Sequence, residues 1–412
     1  MNKKKIVNDP VYGFVSIPSG FLFELINHPY FQRLRYIKQV SMTHLVYPGA
    51  LHTRFQHAIG AMHLMSSALG VLKDKGIVIT AQEEEAALAA ILLHDIGHGP
   101  FSHSLEHTII EGVSHELISS LLMDRLNTEF SGKLDLAIAI FTNRYERGFF
   151  HQLVSGQLDT DRMDYLNRDS FYTGVSEGVI SYDRLIAMLN VVDNQLVVEE
   201  KGIYSIEKFL TARRLMYWQV YLHKTVVGAE QILIKILERA KYLTGQGQQL
   251  FATPALAHFL QYKVGCHNFT DDASHLDWFT RLDDMDIMSG IKAWVYAEDP
   301  LLSMLCERLL KRDLYHSEIS YEALSPEAIK SVQIRVKDYF DIEDVDLPYY
   351  VFSLKIQNSA YNRLKDPIQI LMKNGEVKDL ISALNVSDLG VLEQKVTKYG
   401  ISYPKEIGFF RF

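Results

Sequence analysis

The sequence predicts a mainly α protein, a helical bundle with a small α+β part towards its C-terminal end. Three observations carry this. Apolar residues recur at helical spacing over most of residues 19 to 245. Apart from one short hairpin, strand-like runs gather after about residue 330. No internal repeat or low-complexity linker interrupts the pattern. The units expected are a helical domain over 1–245, a helical extension over 246–329 and an α+β region over 330–412.

Taken in order, the first informative element is the stretch around His57, whose helical face carries Gly60, Ala61 and Leu64. Residues 82 to 95 place Leu88, Ile91, Leu92 and Asp95 at i, i+3, i+4 and i+7, one face of an amphipathic helix. Gly97, Gly99 and Pro100 then stop it. Another helical pattern begins at Asp161. Val197 to Tyr204 reads as a β-hairpin, with Asp193-Asn194 before it and Lys201-Gly202 inside it. Residues 208 to 243 read as one long helix or two abutting ones, and about 250 to 312 is helical again. Ser331 to Val336 and Tyr349 to Leu354 read as strands, with a short helix near 376 to 384.

Composition narrows the class. Hydrophobic content of 48% and charged content of 22% are those of an ordinary globular chain. No run reaches the roughly 18 apolar residues of a membrane span, and the basic Met-Asn-Lys-Lys-Lys start lacks the apolar segment of a secretory signal. Cys266 and Cys306 are the two cysteines, too few for a disulfide framework or a thiolate zinc site. A cytoplasmic location is expected. A net charge of −8 speaks against general nucleic-acid binding, though a local Arg/Lys cluster can still hold an anionic substrate.

The chemistry concentrates in "LLHDIGHGPFSHSLEH", residues 92 to 107, which holds four of the 16 histidines. An imidazole nitrogen and a carboxylate oxygen at a helix end, as in His94-Asp95, suit divalent Fe, Mn, Zn or Ni. Two ligands do not complete a site, and His57 and Asp161 are the further candidates. Asp161, Tyr165 and Asp169 share one helix face, and Arg213, Tyr217 and Tyr221 another, with Lys224 close by.

These residues resemble a family. His57, His94-Asp95 and Asp161 match the H…HD…D signature of HD-domain metal-dependent phosphohydrolases. "IVNDPVYGFVSI", "HPYFQRLRYIKQV", "YPGALHTRFQHAIGAMHL", "LLHDIGHGPFSH", "HE" at 115–116 and "LDTDRMDYLNRDS" look like the deoxynucleoside triphosphate triphosphohydrolase branch. The match covers roughly residues 3 to 245; the last 160 or so residues carry no usable motif. The vertebrate members join such a domain to a sterile-alpha-motif domain, which is not expected here because the motifs begin near residue 1.

The resemblance implies a fold, an activity and roles. The fold is an HD-domain helical bundle. The activity is hydrolysis of a dNTP to deoxynucleoside and triphosphate by water attack at the α-phosphate. The alternatives are another nucleotide or phosphoester as substrate, or a nucleotide-regulated sensor. His57, His94, Asp95 and Asp161 would hold the metal, and Mg or Mn would arrive with the nucleotide. His103 would protonate the leaving 5′-oxygen, in a relay with Glu106 and His115; the family has Asp where Glu106 stands. Arg54, His98, Arg162 and Arg213 would contact phosphates, with Tyr217 and Lys224 beside them. Tyr165 and Tyr221 would pack near the sugar, Asp169 would accept the 3′-hydroxyl, and Gln39 and Val40 would border the 3′ and 2′ carbons. An apolar Val40 leaves a ribose 2′-hydroxyl without a partner and favours deoxyribose. His63 and His107 read as core or solvated histidines.

A homo-oligomer, dimer or tetramer, follows by the same analogy. So does a nucleotide activator held by Lys5 and Arg35. Asn27 stands where the vertebrate members have a guanine-reading Asp, and Tyr12 where they have His. An Asn amide has one acceptor and one donor group, so it cannot accept from both guanine N1–H and N2–H₂. Guanine nucleotides are therefore expected not to activate in that manner. The expected activator is an adenine nucleotide, which fits the amide, or none, in which case Asn27 merely caps a turn before Pro29.

Overall fold

The computed structural model describes residues 5–102, 105–106, 108–110, 112–265, 269–270, 272–358, 361, 366–384 and 395–410. The chain opens with a two-stranded hairpin, β1 (Lys5–Asp9) and β2 (Gly13–Ile17). Helices α1 (Gly20–Asn27) and α2 (Pro29–Gln32) lead into the bundle proper. It comprises α3 (Arg54–Asp74), α4 (Ala81–Leu93), α5 (His115–Glu129), α6 (Asp135–Phe141), α7 (Gly148–Val154), α8 (Thr160–Thr173) and α9 (Tyr182–Ala187). The mainly α class read from periodicity is what the structure has.

Local chemistry fixes the helix starts that matter. Thr53 and Gln56 form a capping box at α3, and Thr80 and Glu83 form another at α4. Asp159 caps α8 by accepting from the Arg162 amide. Each box satisfies amide donors that the first helical turn leaves open. The apolar faces of α3, α4 and α8 bury Leu64, Met65, Leu92 and Leu166 in one continuous core.

Several elements differ from the sequence reading. The hairpin lies earlier than expected: β3 (Leu189–Val192) pairs with β4 (Gln195–Glu199), and the turn is Asp193-Asn194, at φ 51° and 60°. Two left-handed residues make the turn whose twist matches antiparallel strands, and Asp and Asn tolerate that region. Lys201-Gly202 instead belongs to a 3₁₀ turn entering α10 (Ile203–Met216). The 208 to 243 run is two helices. After α10 comes a π turn at Tyr217–Tyr221, where the Leu222 amide donates to the Tyr217 carbonyl, and then α11 (Lys224–Gly245) capped by His223. Such π segments concentrate at functional sites.

The 250 to 312 stretch is helical as expected, including Pro254–Gln261, Asp284–Trp294 and Pro300–Leu310. Ser331 to Val336 is not a strand but the middle of a helix, Pro326–Phe340. Ser325 caps it, Pro326 sits at its first position, and Val332 and Val336 are buried a turn apart. The β-branched residues there mask a helical period. Tyr349 closes a 3₁₀ turn, and the strand begins at Phe352. Within 376 to 384, Val377–Asp379 is a strand and Leu380–Leu384 the helix.

The C-terminal strands form two sheets. β5 (His316–Ser320) and β6 (Phe352–Asn358) flank β9 (Val396–Tyr403) antiparallel. β7 (Gln369–Leu371) pairs parallel with β4 and antiparallel with β8 (Val377–Asp379), so this region completes the sheet begun by the β3–β4 hairpin. Asp366 also accepts from the Gln157 amide at 3.0 Å, in the loop that leads into α8. Buried Cys306 has its thiol pushed up to about 12 by burial, far from a reactive thiolate. Among the described residues, no helix is long and apolar enough to cross a membrane.

Candidate metal centre and adjoining pocket

Three helices converge on one point. α3 presents His57 from its first turn, the end of α4 presents His94, and α8 presents Asp161 from its first turn. His57 Nε2 lies 3.4 Å from His94 Nε2 and 3.1 Å from Asp161 Oδ1, and His94 Nε2 lies 3.5 Å from that same oxygen. Ligands about 2.1 Å from one ion in tetrahedral or octahedral geometry lie about 3.0–3.4 Å apart, so these three atoms have metal-ligand spacing. Asp95, the fourth residue expected to hold the metal, lies at the cluster's edge. Its Oδ1 is 3.3 Å from His94 Nε2, while Oδ2 lies 3.7 Å from His57 Nε2 and is bonded to Arg54 at 2.5 Å.

The tautomers fit an ion. His57 Nδ1 faces Asp164 Oδ2 at 2.7 Å, and His94 Nδ1 faces the Ile91 carbonyl at 2.6 Å. Carboxylates and carbonyls only accept, so both Nδ1 atoms carry protons and both Nε2 lone pairs point into the cluster. Two lone pairs and a carboxylate oxygen facing one another call for a cation. Burial disfavours charge on His57, yet Asp161 and Asp164 outweigh it and push the imidazole up to about 10, so a bound ion would take the place of a proton on Nε2. Burial would raise Asp95, but His94, Arg54 and His57 hold it below the usual carboxylate range. The residues present fit a divalent ion of the Fe, Mn, Zn or Ni class.

Behind His57 runs a buried ionic chain that the sequence reading missed. Arg168 donates to both oxygens of Asp164, each at 2.9 Å, and to Asp9 Oδ2 at 2.8 Å. Asp9 also accepts from the Val11 and Tyr12 amides, closing the turn between β1 and β2. The readable signal was the i, i+4 spacing of Asp164 and Arg168 inside "LDTDRMDYLNRDS". Gly60 is what lets this chain reach His57. A Cβ there would come 2.0 Å from Asp164 Oδ1 and 2.1 Å from Arg168 Nη2. Gly60→Ala is expected to cost at least about 2–3 kcal/mol, because the obstructing groups are paired buried charges without room to move. Urea unfolding checks this, and a midpoint equal to wild type would show that the network yields readily.

On the other side of Asp95 lie Glu106 and His115, two of the three residues expected to form a relay. His98 Nδ1 is 3.3 Å from Asp95 Oδ1, and its ring stacks on His115 with centroids 3.9 Å apart. Glu106 Oε1 accepts from the His115 amide at 2.9 Å and from its Nδ1 at 3.0 Å. Burial lowers the affinity of His115 for its proton, but Glu106, Asp95 and Glu116 together more than offset this and the net shift is upward. The Gly97 amide donates to Ser119 Oγ, which donates to the His94 carbonyl, tying the HD turn to α5. A pocket opens here, lined by His98, Ser102, Leu105, Glu106, His115 and Phe279. His103 and His107 lie outside the described residues.

The third wall is the face of α8 beyond Asp161. Tyr165 packs against Tyr221 with centroids 6.2 Å apart, and Tyr217 meets Tyr221 edge-on at 5.2 Å. Asp169 accepts the Tyr221 hydroxyl at 2.6 Å and a hydrogen bond from His52 at 2.7 Å. His52 was quoted in the sequence motif without a role. Gln39 donates its amide to the His52 carbonyl, which places Gln39 and Val40 beside this wall, and Gln39 Oε1 is buried with no partner among the described residues.

The cations are less uniformly placed. Arg54 is spoken for by Asp95 and Ser102. Arg162 bonds Asp159 and the Gly156 carbonyl, and Arg213 bonds Gln157 Oε1 at 3.3 Å. Lys224 is exposed at the first position of α11.

The residues expected at an activator site sit on the outer surface. Lys5 lies over the Phe23 ring and Arg35 over the Phe55 ring. Asn27 donates to the Phe23 carbonyl at 2.9 Å, and it is His28, not Asn27, that caps the turn at Pro29. Tyr12 packs edge-on against Tyr182 and above His63.

Comparison with known proteins agrees with this geometry. The HD domain profile matches residues 54–166 and the HD associated region profile matches 180–250. The uncharacterized protein YwfO of Bacillus subtilis is 31% identical over 99% of this chain and 94% of its own length. The deoxynucleoside triphosphate triphosphohydrolase SAMHD1 homolog of Dictyostelium discoideum is 32% identical over 60% of this chain, which spans about half (51%) of that protein. A crystal structure of a phosphohydrolase from Bacteroides thetaiotaomicron superposes with a TM-score of 0.94 at 50% identity, covering 97% of this chain and 100% of that one.

Proposed function

The chain belongs to the HD-domain family of phosphohydrolases, and on that premise we propose that it hydrolyses deoxynucleoside triphosphates to deoxynucleoside and inorganic triphosphate. One observation supports this substrate above others. Asp161 and Asp169 stand on one face of α8 two turns apart, the first in the ligand cluster and the second a buried carboxylate. Eight residues of helix rise about 12 Å, close to the reach of a metal–oxygen bond, a sugar phosphate and a hydrogen bond laid end to end. A nucleotide with its α-phosphate at the cluster would bring its 3′-hydroxyl to Asp169.

When bound, a divalent ion here polarises phosphoryl oxygens and activates water. The chain's own side chains do the rest. His57, His94, Asp95 and Asp161 hold the ion, and the resemblance assigns Arg54, Arg162 and Arg213, each with a protein partner in this structure, to phosphate oxygens. Hydrolysis at the α-phosphorus breaks the bond to the 5′-oxygen, which leaves as a hydroxyl once protonated. His103 is assigned that proton, with Glu106 orienting His115 and the ring stacked on it.

The test is product analysis. Purified protein with Mn²⁺ and each dNTP should release triphosphate; release of pyrophosphate or phosphate would instead indicate a different phosphoester reaction, and no release would favour a sensor. The same assay reads the sugar. With Val40 bordering the 2′ carbon, as the resemblance implies, dNTPs should outpace the matching NTPs by at least about tenfold. Equal rates for dATP and ATP would remove the deoxyribose argument.

A further inference from the structure

His52 has no task in this reaction, though it shares the "ALHTRFQH" stretch with Arg54 and His57. Its side chain is fully buried and lies nearly parallel to the Tyr172 ring, with centroids 4.5 Å apart and planes 14° apart. The backbone is pinned too, since its carbonyl accepts from the Gln39 amide at 3.0 Å. Nε2 faces Asp169 Oδ1 at 2.7 Å, and because a carboxylate only accepts, Nε2 carries the proton. Nδ1 has no partner among the described residues. The ring is held rigidly and makes one side-chain hydrogen bond, to Asp169.

Asp169 needs such a partner. Its side chain is 2% exposed, and its one ion-pair partner among the described residues is His52. The other oxygen takes the Tyr221 hydroxyl from the π turn. Two donors from two elements therefore fix the carboxylate, each using one lone pair. Every carboxylate oxygen has a second lone pair, so a fixed Asp169 can still accept one further donor.

We infer that His52 is a positioning residue for sugar recognition: it holds Asp169 in the orientation that accepts a 3′-hydroxyl, and so sets the preference for nucleotides that carry one. This rests on the reading that the chain hydrolyses dNTPs with Asp169 against the sugar. The Gln39 backbone amide ties the same wall to the Gln39–Val40 segment, which the resemblance sets beside the 2′ and 3′ carbons. A histidine that merely filled the core would affect every substrate alike, whereas a positioning histidine affects only substrates with a 3′-hydroxyl.

The experiment compares wild type, His52→Phe and His52→Gln on one dNTP and its 2′,3′-dideoxy counterpart, with kcat and KM from triphosphate release. Phe keeps the ring and its stack on Tyr172 but has no donor; Gln can return an N–H near the Nε2 position. Wild type should prefer the dNTP. His52→Phe should lose about tenfold in kcat/KM on the dNTP and stay within about twofold on the dideoxy substrate, and His52→Gln should restore the preference. Should His52→Phe not fold, His52→Leu carries the same comparison. An equal drop on both substrates, or an unchanged preference, overturns the inference. A wild type that hydrolyses dNTPs without preferring them to dideoxy substrates overturns it too and leaves the hydrolysis standing. No triphosphate from any dNTP removes both.

Discussion

Asp95→Ala protein should fold, carry little or no tightly held metal and show no measurable hydrolysis. The expectation follows from charge and position together. Two carboxylates, Asp95 and Asp161, face the imidazoles of His57 and His94, and Arg54 donates to Asp95 at 2.5 Å. Removing Asp95 halves the carboxylate charge at the cluster while Arg54, 3% exposed, stays in place. The site then offers one carboxylate and two neutral imidazoles to a dication, beside an uncompensated guanidinium. A buried charge stripped of its partner costs about 3–5 kcal/mol, a cost that reaches metal affinity, fold stability or both. Asp95→Asn keeps the shape and the contact surface but not the charge, so it separates the two effects. It should melt close to wild type and still lose metal by at least about tenfold to a hundredfold in affinity. Metal analysis of dialysed protein and titration with Mn²⁺ provide the readout. Full metal content and activity in Asp95→Ala would remove Asp95 from the ligand set.

How much of this was legible beforehand depends on the kind of interaction. His57, His94, Asp95 and Asp161 could be read because ligand chemistry restricts residue type and each lies at a helix end or first turn. The face of Asp161, Tyr165 and Asp169 could be read because helical geometry fixes it. Asp9 and Arg168 could not, since they are 159 residues apart and meet only once β1 packs against α8. His52 was hidden for the same reason, joining Asp169 across 117 residues. Elements were misplaced where local composition and tertiary context conflict. Val332, Ile334 and Val336 favour a strand by residue type, but burial of Val332 and Val336 on one side made that stretch a helix. The π turn at Tyr217–Tyr221 left no trace in periodicity, although it is what turns the Tyr221 hydroxyl onto Asp169.

His103→Ala should lower turnover by about 10²–10⁴-fold while metal content and nucleotide binding stay near wild type, the signature of a lost general acid. The resemblance assigns the acid to His103, and the described residues that follow it in sequence include a fixed carboxylate–imidazole pair. Glu106 Oε1 is held by both the amide and Nδ1 of His115, which fixes the carboxylate three residues beyond His103. His115 stacks at 3.9 Å on His98, and His98 in turn approaches Asp95. The proton donor is not one of the proposed metal ligands, so its removal should not disturb the ion. The leaving group supplies the decisive control. A 5′-alkoxide is a poor leaving group without a proton, whereas a nitrophenolate leaves unaided. On an aryl phosphodiester such as bis(p-nitrophenyl) phosphate, His103→Ala should therefore stay within about tenfold of wild type, because acid catalysis contributes little where the leaving group is already stable. His115→Ala and Glu106→Gln should show the same selective loss in smaller measure, as orienting groups do. A uniform drop on both substrates would mean that His103 acts through the metal or the fold. Turnover within a few-fold of wild type on the dNTP would mean that the proton comes from elsewhere.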